Sequence, residues 1–306
     1  MKVIGNILKK EFPFILGCPA IIWQVLFLYM PLLVILGYSF ISHESLASNA
    51  ITFTLAYFSL VLNFYYMKAI LATVLLALST TVVCLLVAYP IAYFIAFKAK
   101  RMQGLWLFFL ILPSMSNLII QVYAWFFILQ RHGAISTIAY KVGITSSYIH
   151  LLNNEFAIIT GMVYCFLPFM IFPIFSSLSQ MDPKMLEASA DLGANRLQTF
   201  FHVVLPLSLR GVATGCMLVF VPAFGEYVII EMLGGSKNAF WGSIIVNKFL
   251  TNYNLHTGAA LVLVGMTVLI SFLALAFGIY KFTMRKTGIS STQRLFRIKA
   301  LGGKNG

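Results

Sequence analysis

The chain has 306 residues, of which 60% are hydrophobic and 15% aromatic but only 9% charged. Its mean hydropathy is +0.93, and several apolar runs exceed the ~20 residues a helix needs to cross a bilayer, which excludes a soluble globular protein and implies an all-α, polytopic membrane protein. The net charge of +13 would point to nucleic acid in a soluble chain, but no basic face with interleaved aromatics stands apart from the spans, so no nucleic-acid partner is expected.

From the N-terminus, "MKVIGNILKKEFPFILGC" joins a basic start to an apolar run that continues past Cys18 to Phe40. The part before Cys18 is short and contains Pro13, so it reads as the start of a transmembrane helix over 14–40, with no cleaved signal peptide. The next stretch, 51–67, is apolar but broken by Thr52, Thr54, Ser59 and Asn63 and rich in aromatics, which fits an interfacial segment better than a span. Five further spans are predicted over 69–97, 104–130, 156–178, 211–233 and 258–280. The whole is a single transmembrane domain over 1–306. Pro31, Pro90, Pro113, Pro168, Pro173 and Pro222 interrupt the spans, either as packing kinks or as gating hinges. Cys18, Cys84, Cys165 and Cys216 all lie in apolar runs without a CxxC pattern, so they read as small apolar fillers, and the scattered histidines have no metal-ligand spacing.

Counting cations orients the chain. With the N-terminus inside, sixteen of the 21 Lys+Arg fall on the cytoplasmic side and five (Lys68, Arg131, Lys141, Lys237 and Lys248) outside. Both termini are therefore expected in the cytoplasm. Counting 51–67 as another span would flip everything after it and destroy the asymmetry.

The longest inside loop is then 179–210, which contains "EASADLGANRLQTFFHVVLP". Asp182-Pro183 is a helix-start signal, since Asp can accept the first N–H groups and Pro fits the first turn. Gly193 permits a helix end or a sharp bend. A second helix is expected over 194–204, with Leu197, Phe200, Phe201 and Val204 largely on one side, and Pro206 marks the re-entry into the fifth span. Two short helices in an elbow would form a rigid knob outside the membrane.

This stretch resembles the EAA loop of ABC-importer permease subunits. Glu187, Ala188, Gly193, Leu205 and Pro206 match that pattern at its spacings, while Ser189 replaces the second Ala and Val203 replaces Ile, both with size conserved. In that family the loop is the coupling element seated in a cleft of the ATPase, so the resemblance assigns ATPase coupling to Glu187, Ala188, Ser189, Gly193, Phe200, Leu205 and Pro206. A stiff connector is what such coupling needs, because a flexible loop does not transmit rigid-body motion. "AYPIAYFIA" (88–96), "LPSMSNLIIQVYAWFFILQRHG" (112–133) and "PAFGEYVIIEMLGG" (222–235) look like the spermidine/putrescine-type branch. The resemblance implies a type I importer permease fold with six spans and a cytoplasmic coupling helix, in the bacterial cytoplasmic membrane. It implies a second homologous permease, two cytoplasmic ATPase subunits and an extracytoplasmic binding protein as partners, besides membrane lipids. ATP and magnesium would be bound by the ATPase; this chain has no P-loop and no constellation that resembles an enzyme site.

Five residues are candidates for the substrate pathway. Glu226 lies about four residues past the centre of the predicted fifth span, on the order of 6 Å at 1.5 Å per residue. A carboxylate at that depth costs several kcal/mol unless it faces water, a partner or a cation. It either lines the path of an ammonium-bearing substrate or is a helix-end carboxylate; Glu231 is nearer the surface. Tyr123, Trp125 and Tyr227 either hold cations by their ring faces or belong to the interfacial belt. Gln121 shares a helix face with Trp125. Relatives usually carry Arg there, so Gln121 either makes the route less positive, favouring a cationic substrate, or changes a packing contact. The resemblance thus implies half of a polyamine translocation pathway. The alternatives are the same permease type for an aminophosphonate, thiamine or a metal–anion complex, or an ATPase-independent secondary transporter, which would leave the knob without a role.

Overall fold

The computed structural model describes residues 18–42, 52–235 and 239–286. Residues 14–17 of the predicted first span, Ile51, Lys237, the basic N-terminal stretch and the part of the C-terminal stretch beyond Lys286 lie outside them.

In chain order the elements are α1 (Cys18–Phe40), β1 (Ile41–Ser42), β2 (Thr52–Phe53), α2 (Ala56–Val61), α3 (Phe64–Lys98), α4 (Gln103–Ile111) and α5 (Leu118–Leu129). They continue as α6 (Ala134–Lys141), α7 (Glu155–Ser179), α8 (Pro183–Asp191), α9 (Arg196–Gly225), α10 (Ile230–Gly234), α11 (Trp241–Val246) and α12 (Leu255–Lys286). Six stretches among the described residues are long and apolar enough to cross a membrane: α1, α3, Leu118–Lys141, α7, α9 and Leu255–Phe282.

Two of them differ from the predicted spans. The helix expected over 104–130 is broken after Ile111. Pro113 has no N–H to donate, and Ser116 and Asn117 are both extended (ψ 159° and 135°), so the ladder stops and restarts at Leu118. Asn117 caps the new start by accepting from the Ile119 N–H at 2.8 Å. The fifth span, expected over 211–233 after a separate helix over 194–204, is instead one helix from Arg196 to Gly225. Pro206 does not break it. The residue before it, Leu205, donates its N–H five residues back to the Phe200 carbonyl, and this single wide turn makes room for the ring. The same device precedes Pro31, where the Met30 N–H reaches the Val25 carbonyl.

The chain forms two compact units. One comprises the described parts of Met1–Met67 and Ile245–Thr267. Here β1 and β2 pair antiparallel, Ile41 opposite Phe53, and the His256 ring lies stacked at 5.3 Å on Tyr57, with its Nδ1 2.9 Å from the Tyr38 carbonyl.

The other unit, Lys68–Ile244 with the described part of Val268–Gly306, holds α3, α7 and α9. Lipid gives no hydrophobic drive between helices, so close backbone approach and hydrogen bonds must hold them. A Cβ added at Gly211 would overlap the Pro173 carbonyl, and one at Gly215 would meet Met170 Sδ at 2.7 Å. These glycines, four apart, form the seam on which α9 meets α7. On the other flank of α7, Thr80 Oγ1 donates to Met162 Sδ (3.4 Å) and Cys84 Sγ to the Val163 carbonyl (3.8 Å), both from α3. Thr73 of α3 accepts from the Trp241 N–H at 2.8 Å, holding the start of α11.

Candidate coupling elbow and helix break

The elbow is built from local signals. Asp182 accepts from the Lys184 N–H (3.0 Å) with Pro183 in the first turn, which starts α8. At its other end the Gly193 N–H donates to the Ala190 carbonyl (2.9 Å) and the Ala194 N–H to the Ser189 carbonyl (3.1 Å). Gly193 sits at φ +79°, the left-handed position that such a helix end requires. Asn195 then opens α9 with a reciprocal cap: its side chain accepts from the Gln198 N–H and Gln198 accepts from the Asn195 N–H, both at 2.8 Å. The chain therefore turns between two helices with every step of the bend hydrogen-bonded.

A side-chain bond crosses the bend. Ser189 Oγ lies 2.6 Å from Thr199 Oγ1, and Ser189 is only 8% exposed on a helix whose other residues, half-buried Leu186 apart, are exposed. The Ser in place of the second Ala thus conserves size and also adds a clasp.

The predicted coupling residues divide into tip and root. Glu187, Ala188 and Gly193 are exposed at the tip, among apolar side chains that water would not select: Leu192 is 88%, Leu197 70% and Phe201 57% exposed. Phe200, Leu205 and Pro206 are half-buried at the root. The Phe200 ring stands edge-on to Tyr89 at 5.5 Å and to Tyr93 at 6.3 Å, both from the "AYPIAYF" stretch of α3. Tyr89 also bonds Ser208 of α9 at 2.8 Å. Because α9 continues without interruption from the elbow to Gly225, about 45 Å at 1.5 Å per residue, displacement of the elbow is displacement of a span.

At the far end of α9 lies a second break. Glu226 is extended (φ −69°, ψ 135°), so it is not on the wall of a continuous helix as the predicted span placed it. Its Oε1 accepts from the N–H groups of Tyr227 (3.1 Å), Val228 (2.8 Å) and Ile229 (3.2 Å). The carboxylate caps the short helical segment that follows, where backbone dipoles favour negative charge. That segment packs on α7, where a Cβ at Gly161 would meet Ile229 Cγ2 at 3.2 Å. Its end is held by the Asn153 N–H, which donates to the Leu233 carbonyl at 2.8 Å from a left-handed residue (φ 60°). Gly242 of α11 packs against the break itself, since a Cβ there would meet the Glu226 carbonyl at 2.8 Å.

The other pathway candidates are placed as follows. Tyr227 and Tyr123 are exposed, and Tyr123 stacks on Phe127 at 6.4 Å. Trp125 is half-buried, edge-on to Tyr164 at 5.5 Å. Gln121 is buried and its amide is bonded to backbone carbonyls. Reading the residues missed Thr199, Tyr89 and Asn153. The Asn195–Gln198 pair had a visible signal, the three-residue spacing of a reciprocal cap; the others act across the fold.

Six spans, a capped elbow on an unbroken helix and a helix break after Gly225 define a type I ABC-importer permease fold. Residues 88–287 match the family of the binding-protein-dependent transport system inner membrane component, and the chain belongs to that family. It is 34% identical over 277 residues to the spermidine/putrescine transport system permease protein PotB of Haemophilus influenzae, covering 90% of this chain and 95% of that protein. Against PotB of Escherichia coli K12 the identity is 35% over 238 residues, 78% of this chain and 86% of that protein. Among solved structures, a bacterial ABC transporter involved in the import of the acidic polysaccharide alginate superposes with a TM-score of 0.71 at 16% identity, over 91% of this chain and 98% of that chain; that likeness is one of fold.

Proposed function

We propose that this chain is one of two homologous permease subunits of an ATP-driven importer that receives putrescine and spermidine from an extracytoplasmic binding protein. The observation that carries the substrate class is the 34% identity to a spermidine/putrescine permease spread over 90% of this chain and 95% of that protein. A metal–anion substrate is favoured less, since the molybdenum transport system permease protein ModB of Azotobacter vinelandii is 29% identical over 73% of this chain. Both termini face the cytoplasm, in line with the excess of Lys and Arg in the inside stretches. Two cytoplasmic ATPase subunits bind ATP and magnesium, and one of them receives the elbow. Glu187, Ala188 and Gly193 seat there, with Leu192, Leu197 and Phe201 as the apolar contact surface. ATP binding and hydrolysis then rock the permease pair through α9.

For the pathway, Glu226 supplies negative charge at the outer break, while Tyr123, Trp125 and Tyr227 offer ring faces to ammonium groups. The site is weak by design of the system, because the binding protein does the selecting.

Proteoliposomes containing the complete complex test the reading. Labelled putrescine and spermidine should accumulate only with ATP, the ATPase and the binding protein all present. Accumulation without the ATPase, or selective uptake of thiamine or molybdate in place of both polyamines, contradicts it.

A further inference from the structure

We infer that Gln121 is a hydrogen-bond-donor latch that fixes the break between α4 and α5, serving transport through its N–H groups and neither through charge nor through contact with substrate.

The break takes the Pro113 and Ser116 carbonyls out of the regular i to i+4 ladder. Between Ile111 and Leu118 the ladder is interrupted by a residue without a donor, Pro113, and by two extended residues. The Pro113 carbonyl becomes the focus of the repair. It accepts from the Ser116 N–H (3.0 Å), from Ser116 Oγ (2.7 Å) and from Gln121 Nε2 (2.8 Å). Gln121 Nε2 also donates to the Ser116 carbonyl at 3.1 Å. A primary amide carries two hydrogens, so one nitrogen can serve both acceptors at once. The Gln121 backbone N–H bonds the Asn117 carbonyl (3.2 Å), which seats the latch on the first turn of α5. Gln121 is only 8% exposed. Without the Gln121 amide the Pro113 carbonyl would keep its two Ser116 donors, whereas the Ser116 carbonyl would lose its Gln121 partner.

The consequence reaches the pathway candidates. Trp125 lies one turn further along the same face of α5, edge-on to Tyr164, so the angle at which α5 leaves the break sets where that ring stands. Gln121 is therefore a positioning residue. What position 121 requires is a long side chain with at least two N–H donors. Arg has five and no acceptor, and meets the requirement; Met matches the length without donors; an ionised Glu points an acceptor at two carbonyls.

Uptake as a readout rests on the importer function proposed above, whereas backbone amide exchange needs no substrate. The complete complex is prepared in nanodiscs with native, Gln121→Met, Gln121→Glu and Gln121→Arg permease. ATP-driven polyamine uptake is normalised to assembled complex, and hydrogen exchange is followed in the peptide covering 113–121. Gln121→Met and Gln121→Glu should lower uptake about tenfold, the worth of one to two hydrogen bonds, and speed exchange at the Ser116 and Gln121 amides. Gln121→Arg should stay within about twofold of native in both. Native uptake by Gln121→Met, uptake by Gln121→Glu at or above native, or an Arg variant as impaired as the Met variant each overturns the latch. If the native complex moves no polyamine, the functional proposal fails alone; equal exchange in native and Met proteins still overturns the latch.

Discussion

The two ends of α9 are both helix breaks, and they are closed in different ways. At the elbow the bend is closed by its own neighbours in sequence: Asp182, Gly193, Asn195, Gln198 and the Ser189–Thr199 clasp. At the Gly225 end Glu226 caps the next segment locally, but the rest of the closure comes from afar, from the Asn153 N–H and from Gly242 packed on the Glu226 carbonyl. A self-contained bend keeps its shape when the surface beneath it moves, which is what the proposed coupling role requires. A bend completed by distant elements changes when those elements move, which suits a gate.

Mutations sharpen this contrast. The largest effect is expected from Gly193→Pro, because a ring locked near φ −65° cannot occupy φ +79° and the bond to the Ala190 carbonyl is lost. Uptake should fall to background with the permease still inserted and the binding protein still docking, measured as uptake against ATP hydrolysis in the same vesicles. Next comes Glu226. Glu226→Leu removes a helix cap worth about 1 kcal/mol and should lower both thermal stability and uptake. Glu226→Gln keeps an acceptor oxygen, so stability should change little while polyamine uptake drops several-fold if the charge serves the path. Normal uptake by an assembled Gln variant removes Glu226 from the pathway.

The smallest effect belongs to the clasp. Ser189→Ala forfeits one hydrogen bond of about 1 kcal/mol, so uptake per ATP hydrolysed should fall about two- to fivefold. Thr199→Val should match it, and the double variant should be no worse than either single one, as expected for two groups in one interaction. Additive losses would show that the two hydroxyls act separately.

What could be read from the residues follows the same divide. Asp182-Pro183 and Gly193 are local signals, and α8 lies between them. Glu187 and Gly193 could be recognised by spacing alone. Apolar length and the asymmetry of Lys and Arg carried the six spans, for hydropathy averages over whole helices, and the resemblance carried the family. The breaks were harder. An apolar run continues through Gly225 and Glu226 to Leu233, so hydropathy alone draws one span where the backbone ends at Gly225. Pro206 looked like a helix boundary because the wide turn that absorbs it leaves no trace in composition. The Gln121 amide reaches Pro113 eight residues away across a non-helical bend, a pairing that helical periodicity never brings together. The Gly211–Gly215 spacing was visible, yet only the close Pro173 carbonyl assigns it to the α7–α9 seam.

The central claim is that elbow and span move as one rigid lever. Spin labels at Leu197 and Val221, both exposed on α9, test it in the complete complex by pulsed electron–electron distance measurement. Their backbone separation is about 36 Å at 1.5 Å per residue. The account predicts one narrow distance distribution, unchanged between the nucleotide-free and ATP-bound states. A shift of more than about 5 Å, one turn of helix, or a broad distribution in either state would place a hinge at Pro206 and contradict it.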